Sequence, residues 1–134
     1  MIWFHRQNKL LSWEGSNMAN SDGKTYGILI DYEFCTGCHS CEVACKKELN
    51  LPKGQYGIKL TEIGPYQIDE DRWEWVYMPV ITKQCNMCEE RVATGKLPSC
   101  VHHCQAWCMY YGPVEELVNK MTGKTRMALL TPQQ

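Results

Sequence analysis

The chain has 134 residues, 14 basic against 15 acidic, and a formal net charge of −1. That length suits one domain, and the balanced charge excludes the basic footprint of a nucleic-acid binder. Nine cysteines are far more than an ordinary small domain carries.

The first 22 residues contain Ile2, Trp3, Phe4, Leu10, Leu11 and Trp13, but Arg6, Lys9 and Glu14 interrupt them. No stretch of the chain is long and apolar enough to cross a bilayer. There is no twin-arginine pair, and no clean apolar run with a small-residue cleavage site. Met18 followed by Ala-Asn-Ser-Asp-Gly reads like an ordinary chain start. Residues 1–22 are therefore expected outside the fold, as a translation-start artefact, a disordered tail or a segment that packs on a partner. Residues 23–134 are expected to be the folded domain, located in the cytoplasm or exported with a signal-bearing partner.

Tyr26 to Asp31 is a short apolar run, which predicts a strand that delivers Cys35. The first cysteine quartet follows, Cys35-x2-Cys38-x2-Cys41-x3-Cys45. Ser40 to Leu49 reads as a short helix stopped by Asn50-Leu51-Pro52. Gly54, Gly57 and Gly64-Pro65 then punctuate loops or a hairpin. Arg72 to Thr82 alternates as a half-buried strand does, with Trp73, Trp75 and Tyr77 on one side. These aromatics are expected either to shield a metal site or to form a subunit interface. The second quartet, Cys85-x2-Cys88-x11-Cys100-x3-Cys104, includes a predicted helix from Glu89 to Thr94 ended by Gly95. Tyr110-Tyr111 should pair with the first strand. Pro113 fits the first position of a final helix, with Glu115 and Glu116 in its first turn and Gly123 past its end. Val114, Leu117, Val118 and Met121 have helical spacing, as a core cap or a docking face would.

Cysteines at every third position suit an iron–sulfur cubane, because each two-residue spacer aims the next sulfur inward. The odd count and the close spacing argue against a disulfide framework. Zinc is the stronger rival. Cys85, Cys88, Cys100 and Cys104 could make a four-thiolate site, with His102 or His103 replacing one sulfur. Structural zinc usually takes two separated pairs of ligands, whereas three cysteines in seven residues favour the cubane. In two-cluster ferredoxins the fourth cysteine of such a run serves the other cluster. The same exchange gives Cys35, Cys38, Cys41 and Cys104 to one cluster, and Cys45, Cys85, Cys88 and Cys100 to the other. His39 and His102 flank these cysteines, as surface residues or as donors to cluster sulfur. A core this small is marginal on apolar burial alone, so folding should depend on the clusters.

The runs CTGCHSCEVACKKELNLP (Cys35 to Pro52) and CNMCEERVATGKLPSCVHHC (Cys85 to Cys104) resemble the iron–sulfur subunits of the molybdopterin oxidoreductases, the dimethyl sulfoxide reductase family. Ala44-Cys45-Lys46, Arg91, Gly95 and Pro98 carry the likeness, which covers Tyr26 to about Gly112. Those subunits commonly hold four quartets in a longer chain, so this one looks like a two-cluster version. The resemblance implies an α+β fold: a duplicated ferredoxin-like domain binding two 4Fe-4S clusters, with a hairpin insert between the quartets and a C-terminal helix. Gln105 stands where the family usually has Pro, and Cys108 where it has a small residue. Cys108 is the spare, read as a buried thiol against the cluster rather than as an alternative ligand or a redox-active thiol.

Nothing else in the sequence suits chemistry on an organic substrate, since there is no phosphate loop, nucleophile elbow or open-site zinc motif. The resemblance implies an electron-transfer subunit working with a large molybdopterin- or tungstopterin-containing catalytic subunit, and with a further electron donor or acceptor. The alternatives are a free-standing two-cluster ferredoxin and a zinc-stabilised binding module.

Overall fold

The computed structural model describes residues 24–132, so the expected extension over residues 1–22 lies outside the described residues. The strand β1 (Tyr26–Asp31) is buried along its whole length. It is the middle strand of an antiparallel sheet, between β4 (Met109–Pro113) and β5 (Met127–Leu130). In register with β4, Ile28 faces Tyr111 and Ile30 faces Met109. A central strand covered on both faces reads as a continuous apolar run, which is what Tyr-Gly-Ile-Leu-Ile shows. Tyr26, Ile28 and Ile30 point to the side that carries the cysteines. Leu29 points away, to the face where α4 (Val114–Met121) packs across β1 and β4 and buries Leu117 completely. Full burial of one such leucine is worth about 1.5–3 kcal/mol.

Three further helices are short. The helix α1 (Ser40–Glu48) carries Cys41 and Cys45, α2 (Glu89–Ala93) follows Cys88, and α3 (Ser99–His102) carries Cys100. The helices α1 and α3 pack together, with the Ser99 hydroxyl 3.4 Å from the Ala44 carbonyl. Between the quartets, β2 (Ile58–Gln67) and β3 (Trp73–Ile81) form a two-stranded antiparallel ribbon. Its base is buried through Ile58, Leu60, Val76 and Pro79. Its far end is a charged turn, Asp69-Glu70-Asp71-Arg72, flanked by exposed Tyr66, Ile68, Trp73 and Trp75.

Three details differ from the sequence-based expectations. Of the expected loops or hairpin, an antiparallel ribbon is found, but β2 continues past Gly64 and Pro65 through a bulge between Ile63 and Tyr66. Bulges accommodate Gly and Pro because the ladder there needs no paired N–H. The expected apolar side of α4 is buried only at Leu117, and Val118 is exposed. The strand β5 and the one-turn helix α3 had no expectation at all. Among the described residues, no helix is long and apolar enough to cross a membrane.

Candidate metal centre

The backbone of both cysteine loops is turned by left-handed residues. Gly37 has φ 72° and Met87 φ 57°, each immediately before the second cysteine of its pair. His39 at φ 63° and Cys88 at φ 51° are also left-handed, and each precedes the first turn of a helix. For non-glycine residues this conformation costs roughly 1–2 kcal/mol, so the loops persist because the surroundings hold them. The Asn86 side-chain oxygen helps by accepting the Cys88 N–H at 2.9 Å. At Gly37 a methyl group would meet the Tyr77 ring at 2.9 Å. At Gly57 one would meet Cys45 Sγ at 2.5 Å. Glycine at these two places lets the ribbon close over the sulfurs.

All nine cysteines are free. They fall into two sets that do not follow the order of the quartets. Cys104, from the second quartet, acts electrostatically on Cys35, Cys38 and Cys41. Cys45, from the first, feels the charge of Cys88 and Cys85, and Cys100 feels that of Cys88, Cys45 and Cys85 before that of Cys41. A narrow cavity is lined by Cys35, Cys38, Cys41, Cys104 and Cys108, with Leu60 and Pro79 of the ribbon as its apolar wall. Cys38 is the exposed member of this group, and Cys35 and Cys85 are half-buried.

Burial dominates the acidity of the deep thiols. It pushes Cys41 up to about 12 and Cys45 up to about 11, each reinforced by the neighbouring thiolates. Burial also raises Cys85 and Cys88 and drives Cys100 well above the ordinary range. Hydrogen bonding to Cys108 takes Cys35 and Cys104 the other way, down to about 6. Buried thiolates gathered this closely need compensating positive charge. The donor set is soft sulfur, which fits iron in a sulfide cluster. Among the described residues, no three His, Cys, Asp or Glu side chains converge on a single-ion site.

Of the flanking histidines, His39 lines the cysteine cavity, and its charge is a minor cause, behind Cys108, of the lowered pKa of Cys35. His39 points its Nδ1 at the Glu42 carboxylate, 3.1 Å away, and His102 meets the His103 ring edge-on at 4.8 Å. Glu42 itself is buried, and nothing in the sequence singles it out. Burial raises its carboxyl, but the N–H of Leu60, His39 and Lys59 outweigh that and hold it below the usual carboxylate range. Trp73 and Trp75 are 63% and 59% exposed, beside Ile63, Tyr66 and Ile68. Of that aromatic row, Tyr77 alone leans on a cysteine loop, at Gly37.

A 4Fe-4S dicluster domain model matches residues 56–114, and a 4Fe-4S binding domain model matches residues 26–47. Together they cover more than half of the chain. An anaerobic dimethyl sulfoxide reductase component of Escherichia coli is 33% identical over 81 residues, which are 58% of this chain and 40% of that relative. A tetrathionate reductase component of Salmonella typhimurium is 32% identical over 79 residues, 59% of this chain and 28% of the relative. Both models describe 4Fe-4S domains, and the chain is similar to components of dimethyl sulfoxide and tetrathionate reductases. It is an iron–sulfur protein of ferredoxin-like fold that binds 4Fe-4S clusters. The hydrogenase-2 operon protein HybA of Escherichia coli is 31% identical over 112 residues, 81% of this chain but 27% of HybA. The chain thus spans well under half the length of each of these relatives.

Proposed function

We propose that the chain relays single electrons through two clusters to or from a molybdopterin- or tungstopterin-containing catalytic subunit. Cys35, Cys38, Cys41 and Cys104 hold the first cluster, and Cys45, Cys85, Cys88 and Cys100 the second. The observation that carries this is the cavity that brings Cys104 of the second quartet together with Cys35, Cys38 and Cys41, while Cys45 is absent from its lining. In that arrangement α1, bearing Cys41 and Cys45, links the two sites. When bound, the clusters supply reversible one-electron chemistry at potentials set by burial, charge and hydrogen bonds.

The protein's residues do the rest. Leu60, Pro79 and Met109 exclude water from the first site, and Tyr77 covers its loop. Exposed Cys38 puts the first site at the surface, where electron exchange with a partner needs it. Residues 23–134 form the dicluster unit, a duplicated arrangement with the ribbon as its insert. The left-handed residues at equivalent loop positions, Gly37 and Met87, support the duplication. Trp73 and Trp75, exposed on the ribbon, are the anchors for the catalytic subunit, since aromatic residues dominate the energetics of permanent interfaces.

The test is size-exclusion of native protein under anaerobic conditions, with iron and molybdenum or tungsten followed across the fractions. The chain should elute with a much larger pterin-containing protein. Elution as a stable, fully loaded monomer that reduces several unrelated acceptors would replace this reading with a free ferredoxin.

A further inference from the structure

The eight ligand assignments leave Cys108 over. It is buried at the foot of β4, where its carbonyl accepts the Asp31 N–H at 2.8 Å. Trp107 before it is left-handed, with φ 55°, and donates its N–H to the Cys104 carbonyl at 3.2 Å. This tight loop folds the Cys108 sulfur back to 3.7 Å from the Cys104 sulfur. Cys35, which arrives from the loop after β1, lines the same cavity as Cys108 and Cys104. Cys108 therefore shares one cavity with the first and last members of the first set and touches the last.

We propose that the Cys108 thiol is a hydrogen-bond donor to the sulfurs of Cys35 and Cys104 and raises the reduction potential of the cluster they hold. This role rests on the ligand assignment under the proposed function. A cubane has four iron corners, and Cys35, Cys38, Cys41 and Cys104 already meet them, so the fifth thiol keeps its proton. One S–H serves one sulfur at a time, and either choice places partial positive charge beside a ligand. An added electron makes the ligand sulfurs more negative. The donor then stabilises the reduced state more than the oxidised one, and the potential rises. Cys108 acts through the ligands, which makes it a positioning residue.

The experiment compares the full chain with Cys108→Ala, Cys108→Val and Cys108→Ser, all purified anaerobically. Iron and sulfide are assayed, and each cluster is titrated redox-chemically with paramagnetic resonance as the readout. The Ala and Val variants, which have no donor, should keep both clusters and shift the first cluster to a more negative midpoint potential. The second cluster should not move. Serine keeps an O–H donor and should stay near the parent chain. Unchanged potentials in Ala and Val, or a serine shift equal to theirs, would overturn the proposal. Loss of the first cluster in both donor-free variants would also overturn it, by making Cys108 a ligand. A parent chain with zinc and no sulfide would instead defeat the cluster assignment itself, which the metal assay reports separately.

Discussion

The Glu42 carboxylate, on the helix between Cys41 and Cys45, accepts the backbone N–H of Leu60 on β2 at 2.5 Å. Lys59 lies 3.5 Å from the same oxygen, and His39 reaches the other at 3.1 Å. One buried side chain thus fastens the ribbon to the helix that bears a ligand candidate of each set. Glu42→Ala leaves the Leu60 N–H buried without a partner, which costs roughly 1–3 kcal/mol. Anaerobic denaturant unfolding of the loaded chain should show that loss, and clusters should bleach faster than in the parent. Glu42→Gln keeps an acceptor and should fall between the two.

The two glycines under the ribbon should act on different clusters. Gly37→Ala adds a methyl against the Tyr77 ring at a left-handed position, and Gly57→Ala adds one 2.5 Å from Cys45 Sγ. Overpacking of this kind costs about 1–3 kcal/mol. The first variant should broaden or weaken the paramagnetic signal of the cluster on Cys35, Cys38 and Cys41. The second should do so for the cluster on Cys85, Cys88 and Cys100. The same signal weakened by both variants would mean that the glycines do not report on separate sites.

The elements β1, α1, α2, α4 and the pairing of β4 with β1 were legible because each has a local cause: an apolar run, a proline, a glycine stop. The cysteines were legible for the same reason, as their spacing is itself the signal. What stayed hidden depends on distant partners. Met-Ala-Leu-Leu, the strand β5, has no alternation and becomes a strand because β1 offers it a free edge. Glu42 looks like any helix-surface glutamate until Leu60 is brought over it. The aromatic row was visible, yet its exposure could not be read, because burial changes along the ribbon: Pro79, on the same side near the base, is buried, while Trp73 and Trp75 stand toward the far end. The cavity shared by Cys108 and Cys35 joins two ends of the fold and has no local trace.

The exposed tryptophans give a prediction about assembly. Replacing Trp73 and Trp75 with serine removes two largely exposed side chains together with the Trp75–Glu62 hydrogen bond, so stability should fall by about 0.5–1.5 kcal/mol and cluster content should hardly change. Association with the catalytic subunit should weaken by tenfold or more, since interface anchors of this type are each worth about 2 kcal/mol or more. Pull-down from anaerobic extract, with iron assayed in parallel, separates the two effects. Retained association with both residues replaced would place the interface elsewhere.

Crossing of the ligands is testable with Cys45→Ala. Although Cys45 belongs to the first quartet in sequence, the change should perturb the cluster held by Cys85, Cys88 and Cys100 and leave the other near normal. Site-resolved paramagnetic spectroscopy reads the outcome. A defect confined to the cluster of Cys35, Cys38 and Cys41 would mean that each quartet closes on itself.

The decisive quantity is the metal content of the native chain purified without oxygen. Two cubanes on eight thiolates require about eight irons and about eight acid-labile sulfides per chain, with the brown absorption of iron–sulfur protein. Zinc at one or two equivalents with little sulfide would contradict the two-cluster relay.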